Sequence, residues 1–221
     1  MPVSNSSEKM ASYRIVGSMV YPDRHFVGRE EELKAIHDYL SGGENKLFLV
    51  GMGGMGKSEI ARMYLKRHCK DYDVVLWLSF EESLRHTFLS DAAVPIQGLS
   101  RADFPEDSDE DYWQRKLRIL KEIADGRVLL VVDNFDVPDD PDLEAFTSGE
   151  YGVIFTTRCH QEAGRLPEVQ VRSVTDRQEL LAMFRAEYNR SLDAAGEACV
   201  KEILDQLDGH PLSIRLVASA M

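Results

Sequence analysis

The chain has 221 residues, 43% hydrophobic and 29% charged, enough to bury a core in one medium domain with part of a second. Its 38 acidic against 26 basic residues give a formal charge of −12, a field that opposes nucleic acid and anionic membranes, so any phosphate site must be a local feature. Three widely spaced cysteines (Cys69, Cys159, Cys199) with no Cys-x-x-Cys pair argue against a disulfide framework or a zinc site, and no apolar run has membrane-spanning length, so a cytoplasmic location is expected.

Residues 1–20 read as a leader or linker without a signal-peptide core. In Glu30–Leu40 a helical face forms from Leu33, Ile36 and Leu40 and stops at Gly42–Gly43. Lys46–Val50, Val74–Phe80, Val128–Val132 and Val153–Phe155 are apolar runs of the kind that make buried strands, and Val169–Val171 predicts a short fifth. Helices are predicted over Ser58–Cys69 and Ser108–Ala124, the latter opening on the capping-box pattern Ser108-x-x-Asp111 and ending near Gly126. Strands alternating with helices imply an α/β fold, a parallel sheet covered on both faces. The acidic clusters Asp103–Asp111 and Asp136–Glu144 read as solvated loops and helix starts.

Beyond Ser173 no strand run remains. Helical patterns cover Thr175–Tyr188, Asp193–Leu207 and Pro211–Met221, so an α/β domain at 21–172 is expected to lead into a small all-helical domain at 173–221. The last pattern meets no terminator, and the chain is expected to be cut from a longer protein.

The strongest local signal is Gly51-Met-Gly-Gly-Met-Gly-Lys57-Ser58, which fits G-x-x-x-x-G-K-[ST] between a buried strand and an amphipathic helix. Glycines let main-chain N–H groups wrap a phosphate without obstruction, and the helix start adds partial positive charge. The cradle comprises Gly53, Gly54, Met55 and Gly56, continuing through Lys57 and Ser58 to Glu59 in the first helical turn. Lys57 brings a full charge to the β/γ-phosphates, and the Ser58 hydroxyl is an expected Mg²⁺ ligand. A P-loop also requires a carboxylate on another buried strand to hold the metal, and Asp133 ends the run VLLVVD. Tyr151–Arg158 is a further strand ending Thr-Thr-Arg, which would place the permanently charged Arg158 beside the phosphate loop.

Phe26-Val-Gly-Arg29-Glu30, the P-loop, VLLVVDNFD, GVIFTTR and Gly209-His-Pro211-Leu212 occur in one order. That order resembles the NB-ARC/STAND signal-transduction ATPases over roughly residues 21–221. The resemblance implies ATP and ADP as ligands with Mg²⁺, and base contacts from Val27 and Arg29, with Phe26 nearby. It implies a phosphate-sensing role for Arg158 and closure over the base or sugar by Pro211 with Leu212. It further implies self-association in the ATP state and sensor and effector domains outside this chain. ATP over GTP rests on the family, since no N-K-x-D motif is present. His210 reads as a surface or hinge residue. Many relatives carry a second acid after the metal aspartate; here Asn134 stands there and cannot accept a proton from water, so slow hydrolysis is expected. Asp136, two residues on, is a weak substitute.

Two rival readings use the same loop. An AAA+-type remodelling motor would use a glutamate after Asp133, and a small-molecule kinase would carry an arginine-rich lid, whereas only Arg158 and Arg165 follow Thr157 before the fifth strand.

Overall fold

The computed structural model describes residues 14–17, 22–23, 26–90, 100–123, 127–160, 166–188 and 190–221. The helix stop near Gly126 and Arg165 fall outside them.

The elements in chain order are β1 (Arg14–Gly17), α1 (Glu30–Ser41), β2 (Lys46–Val50), α2 (Lys57–His68), β3 (Val74–Ser79), α3 (Leu84–Leu89), α4 (Asp109–Ile123), β4 (Val128–Asp133), α5 (Leu143–Thr147), β5 (Gly152–Thr157), β6 (Glu168–Gln170), α6 (Arg177–Tyr188), α7 (Ala194–Gln206) and α8 (Pro211–Ala220). All five expected strands form. They join one parallel sheet in the order β1-β3-β4-β5-β2-β6, so a sixth strand is added at the edge. That strand corrects the reading of residues 1–20 as leader throughout: Arg14–Gly17 pairs with Val74–Trp77 of β3. Four residues beside no turn signal are too short to stand out as a strand in sequence.

The period of two along each strand divides the core. Phe48, Val50, Leu76, Leu130, Val132 and Phe155 face α3, α4 and α5, where they meet Phe88, Trp113, Leu117 and Phe146. Leu47, Leu49, Val75, Trp77, Val131 and Ile154 face α1 and α2, against Leu33, Ile36, Ile60 and Tyr64. Each such side chain contributes about 1.5–3 kcal/mol on full burial, which is why the runs are apolar on both faces. α4 opens on the expected capping box: Asp111 N–H donates to Ser108 Oγ (3.1 Å) and Ser108 N–H to Asp111 Oδ2 (3.3 Å). α6 starts later than expected, because Asp176 Oδ1 rather than Thr175 caps it, accepting from Gln178 and Glu179 N–H (2.8 and 2.9 Å).

β5 lies between β2 and β4, and the C-terminal ends of the three strands are in step, with Val50 beside Thr157 and Val132 beside Phe155. The ends of three buried strands therefore meet at one edge of the sheet, the place where open parallel sheets bind ligands. α6–α8 pack around their own small core of Val174, Leu180, Phe184, Val200, Leu204 and Ile214. Cys69, Cys159 and Cys199 are all free. Among the described residues, no helix is long and apolar enough to cross a membrane.

Candidate functional site

β2 ends at Val50 and α2 begins at Lys57, so the glycine-rich loop turns at the strand edge. Gly56 (φ 90°) precedes the helix with no side-chain cap, and intrahelical bonding begins only at Ile60 N–H to Gly56 O (2.9 Å). The N–H groups of Lys57, Ser58 and Glu59 thus precede the first helical bond, the arrangement that binds anions. Lys57 Nζ lies across the loop, donating to the carbonyls of Gly51 (2.7 Å) and Met52 (2.9 Å). Burial holds its ammonium below the ordinary lysine value, Asp136 opposes that shift, and Arg158 adds to it.

At the end of β4 the buried Asp133 carboxylate gathers two hydroxyls on one oxygen. Ser58 Oγ and Thr156 Oγ1 each donate to Oδ1 at 2.6 Å, and Asn134 N–H donates to Thr156 Oγ1 (2.9 Å). Thr156 belongs to β5, so the intervening strand links the metal-type carboxylate to the loop. Arg62, one helical turn beyond Ser58, lies over the Trp77 ring (4.9 Å to its centroid) and 3.8 Å from Asp133 Oδ2. Ser58 and Asp133 are hard oxygen donors within reach of one ion. They suit Mg²⁺, which keeps most of its shell for water and phosphate. Among the described residues no group of three or more His, Cys, Asp or Glu side chains could hold a metal alone.

The segment before α1 closes one wall. Arg29, in the left-handed region (φ 68°), is not free in solvent: its guanidinium donates to Met55 O (3.1 Å), Arg172 O (2.8 Å) and Glu32 Oε1 (2.8 Å). It ties the phosphate loop to the segment that leaves β6. Asp23 N–H donates to Glu59 Oε2 (2.9 Å), and Glu59 pairs with Arg62 (2.7 Å).

The opposite wall comes from the helical lobe. Gly209 (φ 64°) packs so tightly that a Cβ there would lie 1.8 Å from Val174 O, and Val174 N–H donates to Gly209 O (3.0 Å). The turn swings His210 and Pro211 onto the phosphate loop. His210 Nδ1 accepts from Ser213 N–H (3.2 Å) as the cap of α8, which leaves the proton on Nε2 to donate to Gly53 O (2.9 Å). Leu212 N–H donates to Gly54 O (3.3 Å). Gly54 (φ 78°) is required here, because a Cβ would meet His210 Cε1 at 2.5 Å and Leu212 Cβ at 2.9 Å. Arg215, a turn further along α8, pairs with Asp23 (2.6 Å) and with Glu187 of α6 (2.7 Å).

Between these walls lies a cleft of about 440 Å³. Val27, Arg29, Gly53, Gly54, Met55 and Gly56 line it, as do Lys57, Ser58, Glu59, Arg158, Pro211 and Leu212. Asp133 sits just behind Ser58. Sequence reasoning missed His210, Asp23 and Arg215. The first is corrected from surface or hinge residue to a direct partner of the phosphate loop; its contact spans 157 positions, and no local pattern announces it.

A glycine-rich loop between β2 and α2, with Asp133 and Lys57 so placed, defines a P-loop nucleotide-binding fold. Residues 25–149, more than half of the chain, match the family model described as AAA ATPase domain. The chain belongs to that family and is a P-loop ATPase domain. Among solved structures, the Walker-type ATPase paby2304 of Pyrococcus abyssi superposes with a TM-score of 0.62 at 16% identity, over 91% of this chain and 69% of that one. Hsp104 in its closed state with ATPγS and FITC casein superposes at 0.51 and 18% identity, over 87% of this chain and 38% of that one. At those identities the likeness shows the fold alone. No curated protein matches the chain in sequence.

Proposed function

We propose that this chain is the nucleotide-binding unit of a STAND-type ATP/ADP switch, with an α/β domain at 21–172 and a helical domain at 173–221. The observation that carries this reading is the seating of the Gly209–Leu212 turn on Gly53 and Gly54, which makes both lobes walls of one cleft. A nucleotide there would be held by the amides of Gly53–Ser58 and by Lys57 at its phosphates, with Val27, Arg29 and Pro211 at its base. Mg²⁺, held by Ser58 and through water by Asp133, would neutralise charge on the β- and γ-phosphates. Only a ligand that distinguishes two states can shift them, and the γ-phosphate is the difference that Arg158 would sense. Hydrolysis is slow because Asn134, which lines the cleft, orients water without taking its proton. In the ATP state the helical domain swings away and the chain self-associates in the cytoplasm, under sensor and effector domains outside this sequence.

The test is the nucleotide released when the purified protein is denatured. Retained ADP, lost in Lys57→Ala, supports the switch; a protein purified empty and unable to bind added ADP contradicts it. The family match supports a second reading, an AAA-type remodelling motor, and steady turnover of many ATP per minute would favour it.

A further inference from the structure

Asp136, three residues past the metal-type aspartate, gives both carboxylate oxygens to one neighbour. Oδ1 accepts the main-chain N–H of Arg158 and Oδ2 accepts its Nε–H, each at 2.7 Å. Thr157 Oγ1 also donates to Oδ1, at a long 3.4 Å. A ring thereby closes through the backbone and side chain of a single arginine, which fixes its torsions. Among the described residues, neither Nη group of Arg158 donates to protein. Its side chain is 64% exposed, yet it lines the cleft, with Cδ 3.9 Å from where a Cβ on Gly53 would stand. A long, exposed side chain of this kind samples many rotamers unless something holds it, and loses that freedom on gripping a ligand.

We infer that Asp136 is the positioning residue of the phosphate sensor: it clamps the Nε edge of Arg158 and leaves the two Nη groups for the terminal phosphate of a nucleoside triphosphate. The inference rests on the reading of the cleft as a nucleotide site. It also removes Asp136 as a substitute base, since the carboxylate is committed to a cation rather than to water. Asp136 also faces Lys57, whose charge serves ATP and ADP alike, whereas the clamp acts on the group that tells triphosphate from diphosphate, so its loss should show in the ratio of the two affinities.

The test is an equilibrium titration of fluorescent ATP and ADP analogues with Mg²⁺ against the parent, Asp136→Ala, Asp136→Asn, Arg158→Ala and the Asp136→Ala/Arg158→Ala pair. Asp136→Ala is expected to lower the ATP-to-ADP affinity ratio about two- to ten-fold, the cost of immobilising one long side chain at the moment of binding. Adding it to Arg158→Ala should change that ratio no further. Asp136→Asn keeps the shape and one acceptor, guards against a failure of the alanine variant to fold, and should give a smaller loss in the same direction. A ratio unchanged in both Asp136 variants overturns the clamp, as does an equal fall when Arg158 is already absent. A parent that binds neither nucleotide overturns the nucleotide site itself; a parent that binds both, with Asp136 variants indifferent, overturns only the clamp.

Discussion

In the proposed switch, Asn134 is the residue whose change tests how the site treats water. It holds a left-handed conformation (φ 63°) at the end of β4, which asparagine and aspartate tolerate better than longer residues. Asn134→Asp therefore keeps the backbone and supplies a proton acceptor. Steady-state ATP turnover is expected to rise about ten-fold or more, the low end of what a positioned base contributes falling near a hundred-fold. An unchanged rate would mean that something other than the missing acid limits hydrolysis. Gly209 decides how the lobes meet. Gly209→Ala forces a left-handed alanine into the Val174 carbonyl, with a Cβ–O approach of 1.8 Å. A loss of about 2 kcal/mol or more is expected, read as a fall in the urea midpoint together with weaker ADP retention.

At the scale of elements, β5 carries the site because it separates the phosphate-loop strand from the Asp133 strand. Its entry is held by Tyr151, fully buried, whose hydroxyl donates to Phe146 O at the end of α5. Burial raises the Tyr151 pKa above its ordinary value near 10. The folded state therefore keeps this proton where the unfolded chain loses it, and the associated stability is present below pH 10 and lost as pH rises beyond it. Tyr151→Phe removes the hydroxyl, and should cost about 1 kcal/mol at pH 7–9. In urea titrations the gap between parent and variant should narrow above pH 10; a gap constant to pH 11 would contradict the assignment.

The phosphate loop and the Asp133 strand were legible because each is a short pattern whose meaning depends on near neighbours. The capping box of α4 was legible for the same reason. α3 and α5, of six and five residues, lie below the length at which helical period shows. β1 escaped because an edge strand of four residues carries little signal. At the site, contacts between residues far apart in sequence were hidden: His210 with Gly53, Arg215 with Asp23, and Asp136 with Arg158 are pairings that only the folded chain brings together.

At the scale of the whole molecule, the helical lobe meets the core through hydrogen bonds from His210 and Leu212 to the phosphate loop and an ion pair from Arg215 to Asp23. Arg215 bridges Asp23 and Glu187 while 44% exposed, so the pair is partly screened and contributes at most about 1 kcal/mol. Arg215→Ala should speed ADP release up to about five-fold at low salt, with the difference from the parent fading as ionic strength rises. Release followed by stopped-flow fluorescence at two salt concentrations reads both effects, and a salt-independent difference would point to packing instead.

In the proposed switch, one nucleotide is gripped by both lobes at once. A crystal structure of the protein with ADP and Mg²⁺ tests it most directly. The β-phosphate is expected within hydrogen-bond reach of the Gly54–Ser58 amides, with Pro211 against the base or sugar. Phosphates outside that loop, or a base that the helical lobe does not touch, would contradict it.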